Sequence, residues 1–220
     1  MRAMILAAGF GKRMRPLTDH PRKPLLKAGG KALIEHHILN LKAAGFNQIV
    51  INHAYLGEQI EAYLGHGEKY GVQIEYSAET EPLETGGGIY KALPQLGEGP
   101  FLVVNGDIWT EYDFNRIPKN LTGLIHLVLI PNPAHNPGGD FDLKDDQVSA
   151  EGDNKLTFSG IGVYDPAVFA DSVAGRFPLA PLLREFMAIK QVTGECYSGQ
   201  WMDIGTPERL QQLDELLNRA

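Results

Sequence analysis

The sequence predicts an α/β fold: a mostly parallel sheet flanked by helices, with a mixed, partly antiparallel C-terminal portion. Three observations predict it. Through roughly the first 110 residues, short apolar runs alternate with amphipathic stretches in the order βαβαβαβ, which implies parallel strands joined by crossover helices. Glycine and proline punctuate the boundaries between these stretches. Beyond that point the apolar runs follow one another with polar connections, the pattern of paired antiparallel strands.

Ala3 to Leu6 reads as a buried first strand. Leu33 to Ala44 reads as a helix with Leu33, His37, Leu41 and Ala44 along one face, ended by Gly45. Gln48 to Ile51 is a strand, Leu56 to Leu64 a helix and Val72 to Tyr76 a strand. Gly87 to Leu93 is expected to be helical and to stop before Pro94, whose ring clashes with the preceding turn. Phe101 to Val104 completes the alternating half. Leu124 to Ile130 is then a strand, and Phe141 to Val148 and Leu156 to Tyr164 read as a strand pair. Ala180 to Ile189 reads as a helix and Trp201 to Ile204 as a short strand. Thr206 is placed to cap a final helix, with Pro207 at its first position and Glu208 in the acid-favouring first turn. Residues 1–220 are expected to form a single domain whose second half extends the sheet and walls a cleft.

Composition narrows the function. Hydrophobic content of 43% and charged content of 21% suit a globular chain and exclude a disordered one. A lone cysteine, Cys196, excludes a disulfide framework and a multi-cysteine zinc site, and fits a reducing cytoplasm. No run approaches the ~20 apolar residues that cross a bilayer, so no membrane partner is expected. The run Met4 to Ala8 is too short for a signal-peptide core and is broken by Gly9-Phe10-Gly11-Lys12-Arg13. A net charge of -7 argues against nucleic-acid binding. Yet residues 1–31 hold eight of the 20 lysines and arginines and a single acid, Asp19. An acidic chain that concentrates positive charge at one glycine-rich loop is built to bind a small anion there.

That loop runs from Leu6 to Thr18, through Gly9, Gly11, Lys12, Arg13 and Arg15. Glycine lets backbone amides approach and cradle phosphate oxygens, and the planar fork of Arg13 suits a phosphate. Two known phosphate loops do not fit. The dinucleotide fingerprint needs a third glycine where Met14 stands, and the ATPase loop needs serine or threonine where Arg13 stands. Lys23 follows in a stretch stiffened by Pro21 and Pro24, which limits where its ammonium can point.

Leu6 to Thr18, followed by Lys23-Pro24-Leu25-Leu26, resembles the signature of the sugar-1-phosphate nucleotidyltransferases. Asn105-Gly106-Asp107 and Trp201-Met202-Asp203-Ile204-Gly205-Thr206-Pro207 resemble that family's later motifs, in the same order. The resemblance spans nearly the whole chain. It implies a Rossmann-like fold of the nucleotide-diphospho-sugar transferase type, with residues 1–110 as the nucleotide-binding half and 111–220 as the sugar-binding half. It also implies a nucleoside triphosphate and a sugar 1-phosphate as substrates. Gly9, Gly11, Lys12, Arg13 and Lys23 would then bind the triphosphate, with Arg13 and Lys23 acting in catalysis. Glu79, Thr85 and Gly86 would contact the base, and Asn105, Asp140 and Glu151 are candidates for the sugar.

Asp107 follows a parallel strand, at the end where such sheets bind ligands, and Asp203 ends a distant one. Two carboxylates brought together repel, and Mg²⁺ between them removes that cost while leaving positions for phosphate oxygens. Asp107 and Asp203 are therefore the expected metal ligands. Many members of the family carry Glu-Lys-Pro before the strand matching Phe158 to Tyr164. Here Glu151-Gly152-Asp153-Asn154-Lys155-Leu156 stands in its place, which argues against ordinary hexose recognition, and the unusual loop Pro131 to Asp140 is a candidate border for a bulkier sugar. The residues leave open a guanylyl- or cytidylyltransferase acting on another sugar or alcohol phosphate, a nucleotide-sugar sensor without activity, and a monomer or small homo-oligomer.

Overall fold

The computed structural model describes residues 1–9, 11–19 and 22–219; Phe10, Pro21 and the side chain of Lys12, all named above, lie outside the described residues. Strand β1 (Ala3–Leu6) ends at the glycine-rich loop. Single turns of 3-10 helix follow at Lys12–Met14 and Lys23–Leu25. The short strands β2 (Lys27–Ala28) and β3 (Lys31–Ala32) pair across Gly29 and Gly30, both at positive φ as a tight hairpin turn requires. Helix α1 (Leu33–Ala43) leads to β4 (Gln48–His53), α2 (Glu58–Leu64) to β5 (Gln73–Ala78), and α3 (Glu84–Leu96) to β6 (Phe101–Asn105). The second half adds β7 (Ile108–Thr110), β8 (Ile125–Ile130), β9 (Phe141–Lys144), β10 (Gln147–Ser149) and β11 (Lys155–Tyr164). Helix α4 (Leu179–Ala188), strands β12 (Val192–Cys196) and β13 (Trp201–Asp203), and helix α5 (Pro207–Arg219) complete it.

Nine strands form one sheet in the order β5-β4-β1-β6-β11-β8-β12-β10-β9. The first four are parallel, and β11 then runs antiparallel against both β6 and β8. Strand alternation sends Ala3, Ile5, Ile49 and Ile51 to the face covered by Ile34 and Ile38 of α1 and Ile60 of α2. It sends Met4, Val50, Phe101 and Val103 to the other face, against Ile89 and Leu96 of α3 and Leu183 of α4. Each of these side chains larger than alanine contributes about 1.5–3 kcal/mol by leaving water, so both faces are fixed by apolar burial. Helix α5 packs outside the sheet, where Leu210 and Leu213 close a third cluster with Met14, Leu26 and Trp109. No described helix is long and apolar enough to cross a membrane.

Several predicted elements shift. Helix α3 begins at Glu84 and runs through Pro94 to Leu96. The proline falls in the last turn, where it removes one bond, and buried Leu96 followed by Gly97 at φ +87° sets the true end. Helix α2 starts later than predicted because Leu56 takes φ +57°. Phe141 to Val148 is a hairpin, turned at Asp145 (φ +57°), and its first strand pairs with β11. Thr206 does cap α5, its Oγ1 accepting from the Arg209 amide at 3.4 Å.

Candidate active site

Strands β1 and β6 are neighbours, yet the chain leaves β1 toward β4 on one side and returns to β6 from the other. Ligands of doubly wound sheets bind at such a switch point, outside the carboxyl ends of the strands. A cleft of about 440 Å³ opens there. Its floor is the end of β1 (Leu6, Ala7, Ala8) and of β6 (Asn105, Gly106, Asp107), and Gly9, Gly11, Arg13 and Lys23 form one wall. Pro82, Glu84 and Thr85 form another, and Gly205 closes the far side.

The two halves of the chain meet through charge. Lys23 Nζ donates to Asp107 Oδ2 at 3.0 Å, with the lysine only 9% exposed. The turn Lys23–Leu25 holds the lysine in place, closed by a 2.8 Å bond from the Leu25 amide to the Arg22 carbonyl. Gly11, at φ +62°, sits where a Cβ would come within 3.1 Å of the Lys23 Cβ, so only glycine lets the loop pass this close. Gly106 is equally constrained: a Cβ there would lie 2.6 Å from the Leu6 carbonyl oxygen.

Strands β7 and β13 bring the backbones of the two aspartates together. Asp203 faces Ile108 in an antiparallel ladder, and the Ile204 amide donates to the Asp107 carbonyl at 2.8 Å. A Cβ on Gly205 would be 3.1 Å from both Asp203 carboxylate oxygens and 3.3 Å from an Arg13 guanidinium nitrogen, which places Arg13 beside Asp203. Asp203 Oδ2 accepts from Arg209 Nη1 at 2.5 Å and lies 3.6 Å from His135 Nε2. Each aspartate is thus held against a basic side chain. Carboxylates are hard oxygen donors, and two of them at one cleft suit a hard divalent cation completing its shell with phosphate oxygens. Among the described residues, no group of three or more acidic, histidine or cysteine side chains forms a closed metal cage.

The profile of the nucleotidyl transferase family matches residues 2–129. The chain belongs to the nucleotidyl transferase family. It is 51% identical to the N-acetylmuramate alpha-1-phosphate uridylyltransferase of Neisseria meningitidis serogroup B, over 98% of each chain. It is 36% identical to the enzyme of the same name from Caulobacter vibrioides, over 94% of this chain and 92% of that one. A solved structure from Bacillus anthracis in complex with a sucrose shares the fold at a TM-score of 0.89 and 22% identity, covering 100% of this chain and 96% of that one. This nucleotidyltransferase therefore carries the Rossmann-like, mixed-sheet architecture its sequence predicts.

Of the predicted residues, Gly9, Gly11, Arg13, Lys23, Thr85, Asn105 and Asp107 line the cleft, and Asp203 borders it at Gly205. Four do not. Glu79 is buried beneath the wall, where its Oε1 accepts from Asn52 Nδ2 at 2.6 Å and its Oε2 from the Leu83 amide at 2.9 Å. Gly86 packs against Phe177, whose ring a Cβ would meet at 2.4 Å. Asp140 is committed to its own loop, accepting from the Phe158 amide at 2.8 Å and Asn136 Nδ2 at 3.1 Å. Glu151 is 93% exposed and reaches only Lys155, at 3.4 Å.

The sequence reading missed Asn52, whose Oδ1 accepts from the Ala7 amide at 2.8 Å and so steadies the loop entry. The signal was a polar residue closing the apolar run Ile49 to Ile51. It also missed Arg22, whose Nη2 donates to the Gly9 carbonyl at 3.0 Å. Burial lowers the Arg22 pKa and nearby Tyr55 opposes that shift; an arginine stays charged throughout. Glu84, at the cleft rim, holds φ +61° and is paired to Arg176, a strained backbone of the kind found at binding sites.

Proposed function

We propose that this chain transfers UMP from UTP to N-acetylmuramate α-1-phosphate, releasing pyrophosphate and returning a cell-wall sugar to its nucleotide-activated form in peptidoglycan recycling. What carries the reading is the meeting of Lys23, Arg13, Asp107 and Asp203 at one cleft, in a chain 51% identical from end to end to a uridylyltransferase of that sugar phosphate. The proposed setting is the cytoplasm.

The chemistry follows from charge. A phosphate monoester has a second pKa of about 6, so the sugar phosphate is already a nucleophilic oxyanion at neutral pH. It attacks the α-phosphorus, a new phosphoanhydride bond forms, and the bond to the β-phosphate breaks as pyrophosphate leaves. No general base is required. The obstacle is repulsion: two unit charges 4 Å apart cost about 4 kcal/mol at an effective dielectric of 20, and several such pairs must approach. Lys23 and Arg13 offset it with two positive charges at the cleft wall, and the amides following β1 add fixed dipoles for the triphosphate. Asp107 and Asp203 would hold a divalent cation, with magnesium suited to carboxylate and phosphate oxygens, and that ion supplies charge neutralisation at the phosphates. Asn105 at the cleft floor, and His135, 3.6 Å from Asp203, are the groups proposed to meet the sugar.

The test is a matrix of UTP, GTP, CTP, ATP and dTTP against N-acetylmuramate, N-acetylglucosamine, glucose and mannose 1-phosphates, read as pyrophosphate release. The strongest rate is expected with UTP and N-acetylmuramate 1-phosphate. A clear preference for another pair would replace the substrates, and no pyrophosphate with any pair would end the enzymatic reading.

A further inference from the structure

The first turn of α3 is held by a strap from the other half of the chain. Residues 175–177, just ahead of α4, cross it. The Phe177 amide donates to the Leu83 carbonyl and the Gly87 amide to the Phe177 carbonyl, each at 3.1 Å. The contact is too close for side chains on the helix. A Cβ on Gly86 would come within 2.4 Å of the Phe177 ring, and one on Gly87 within 2.2 Å of the Gly175 carbonyl oxygen. One turn further along the helix, Tyr90 meets the Phe177 ring edge-on, with 6.4 Å between centroids. Between the fixed points Leu83 and Gly87 stand Glu84 and Thr85, both of which line the cleft.

Glu84 is the strained link. Its φ of +61° is a conformation that glycine takes freely and that a residue with a side chain rarely adopts. Such a conformation persists only where its surroundings over-determine it. Leu83 is tied at both ends, its amide to Glu79 Oε2 at 2.9 Å and its carbonyl to the Phe177 amide, so the chain has to turn at residue 84. What glutamate adds there, and glycine lacks, is a carboxylate. Its Oε1 accepts from Arg176 Nε at 2.9 Å and lies 2.7 Å from Arg176 Nη2, so two nitrogens of one guanidinium close on one oxygen. Arg176 itself stands outside the residues that line the cleft.

We propose that Arg176 is a positioning residue for nucleotide binding: through Glu84 it fixes the first turn of α3, and with it Thr85, in the conformation that walls the cleft. The inference rests on the cleft at the β1–β6 switch point being the triphosphate site of the proposed transferase. It also makes the two halves of the chain interdependent, because the strap follows β11 and the wall it holds follows β5.

The test is steady-state kinetics with each substrate varied in turn, using the substrate pair that gives the strongest pyrophosphate release, with thermal unfolding in parallel. The Arg176 side chain is 68% exposed, and an exposed ion pair contributes modestly, so an effect of about 3- to 5-fold is expected. Arg176→Ala should raise the KM for the triphosphate by that factor, while kcat and the KM for the sugar phosphate stay within about 2-fold of wild type. Arg176→Lys, which keeps the charge, should recover most of the loss. Glu84→Gly removes the partner and the strain together, so adding Arg176→Ala to it should raise the triphosphate KM no further. If Glu84→Gly does not fold, Glu84→Asn takes its place, since asparagine tolerates positive φ and is too short to keep the pair. An unchanged triphosphate KM in Arg176→Ala overturns the proposal. So does an equal rise in both KM values, which would make the strap a general support, or a further rise in the double variant, which would mean that Arg176 acts without Glu84. Lys23→Ala is the control. If it binds the triphosphate like the wild type, the cleft reading fails and the proposal with it; if it loses the triphosphate and Arg176→Ala does not, only the proposal fails.

Discussion

Glu79→Gln is nearly isosteric and is expected to be costly. A chain of polarity runs from the Ala7 amide into Asn52 Oδ1 (2.8 Å), from Asn52 Nδ2 into Glu79 Oε1 (2.6 Å), and from the Leu83 amide into Glu79 Oε2 (2.9 Å). Ala7 fixes Asn52 with its oxygen toward β1, so its amide nitrogen must donate toward Glu79. Residue 79 therefore faces two donors and must accept at both ends. Glutamine accepts at one end only, and turning its amide over moves the conflict without removing it. One buried donor is left unmet, at about 1–3 kcal/mol. Glu79→Ala leaves both unmet and opens a cavity, so a loss of roughly twice that is expected. Because the chain ties the loop entry at Ala7 to the wall at Leu83, the KM for the nucleoside triphosphate should rise several-fold, with less change in kcat. Urea unfolding and steady-state kinetics on wild type, Glu79→Gln and Glu79→Ala measure both effects. Wild-type stability in Glu79→Gln would refute the donor assignment, and an unchanged KM would detach the network from nucleotide binding.

Other predictions concern the site and its supports. Lys23→Ala and Asp107→Asn should each lower turnover by about 10²-fold, the scale of removing one preorganised electrostatic group, measured as pyrophosphate release; near-native turnover would strike that residue from its role. Gly106→Ala drives a Cβ to 2.6 Å from the Leu6 carbonyl, so about 1–3 kcal/mol of stability should be lost in urea unfolding, with reduced turnover because Asp107 is displaced. The buried His37 ring has its pKa lowered from 6.5 to about 4, chiefly by burial. The unfolded chain therefore binds the extra proton first, and the stability present above about pH 6.5 falls as pH drops, by about 3 kcal/mol on reaching pH 4, at 1.36 kcal/mol per pKa unit. His37→Gln should lack that component, and superimposable stability–pH curves for variant and wild type would contradict it.

The parallel half was legible because burial there leaves a plain trace. Strands covered on both faces read as runs such as Ala3-Met4-Ile5-Leu6 and Phe101-Leu102-Val103-Val104. Strand β12 escaped notice because Thr193, Gly194 and Glu195 interrupt its apolar pattern; its place comes from pairing with β8 and not from its own hydrophobicity. The start of α3 was obscured by its three glycines. Each is demanded by close packing with a sequence-distant segment: Gly86 against Phe177, Gly87 against the Gly175 carbonyl, and Gly88 against Asn52 and Glu79.

In the site, Lys23 and Asp107 were legible because their motifs concentrate unusual residue types at strand ends. The structural ties of Glu79 were not legible, since its partner Asn52 lies 27 residues away. Asp140 and Glu151 are polar residues of loops, and the bonds by which they tie to Phe158 and Lys155 were not legible because those partners are set by how the loops fold. Arg209 was missed for a related reason: its pairing with Asp203 comes from the angle at which α5 leaves Thr206.

The central claim is that the cationic loop and the two distant aspartates serve one bound triphosphate. The most direct test is a crystal structure with a non-hydrolysable UTP analogue and Mn²⁺, using anomalous scattering to locate the metal. The account predicts Mn²⁺ in contact with the carboxylates of Asp107 and Asp203, and the phosphates between Lys23 and Arg13. A nucleotide seated away from the β1–β6 switch point, or a metal touching neither aspartate, would contradict it.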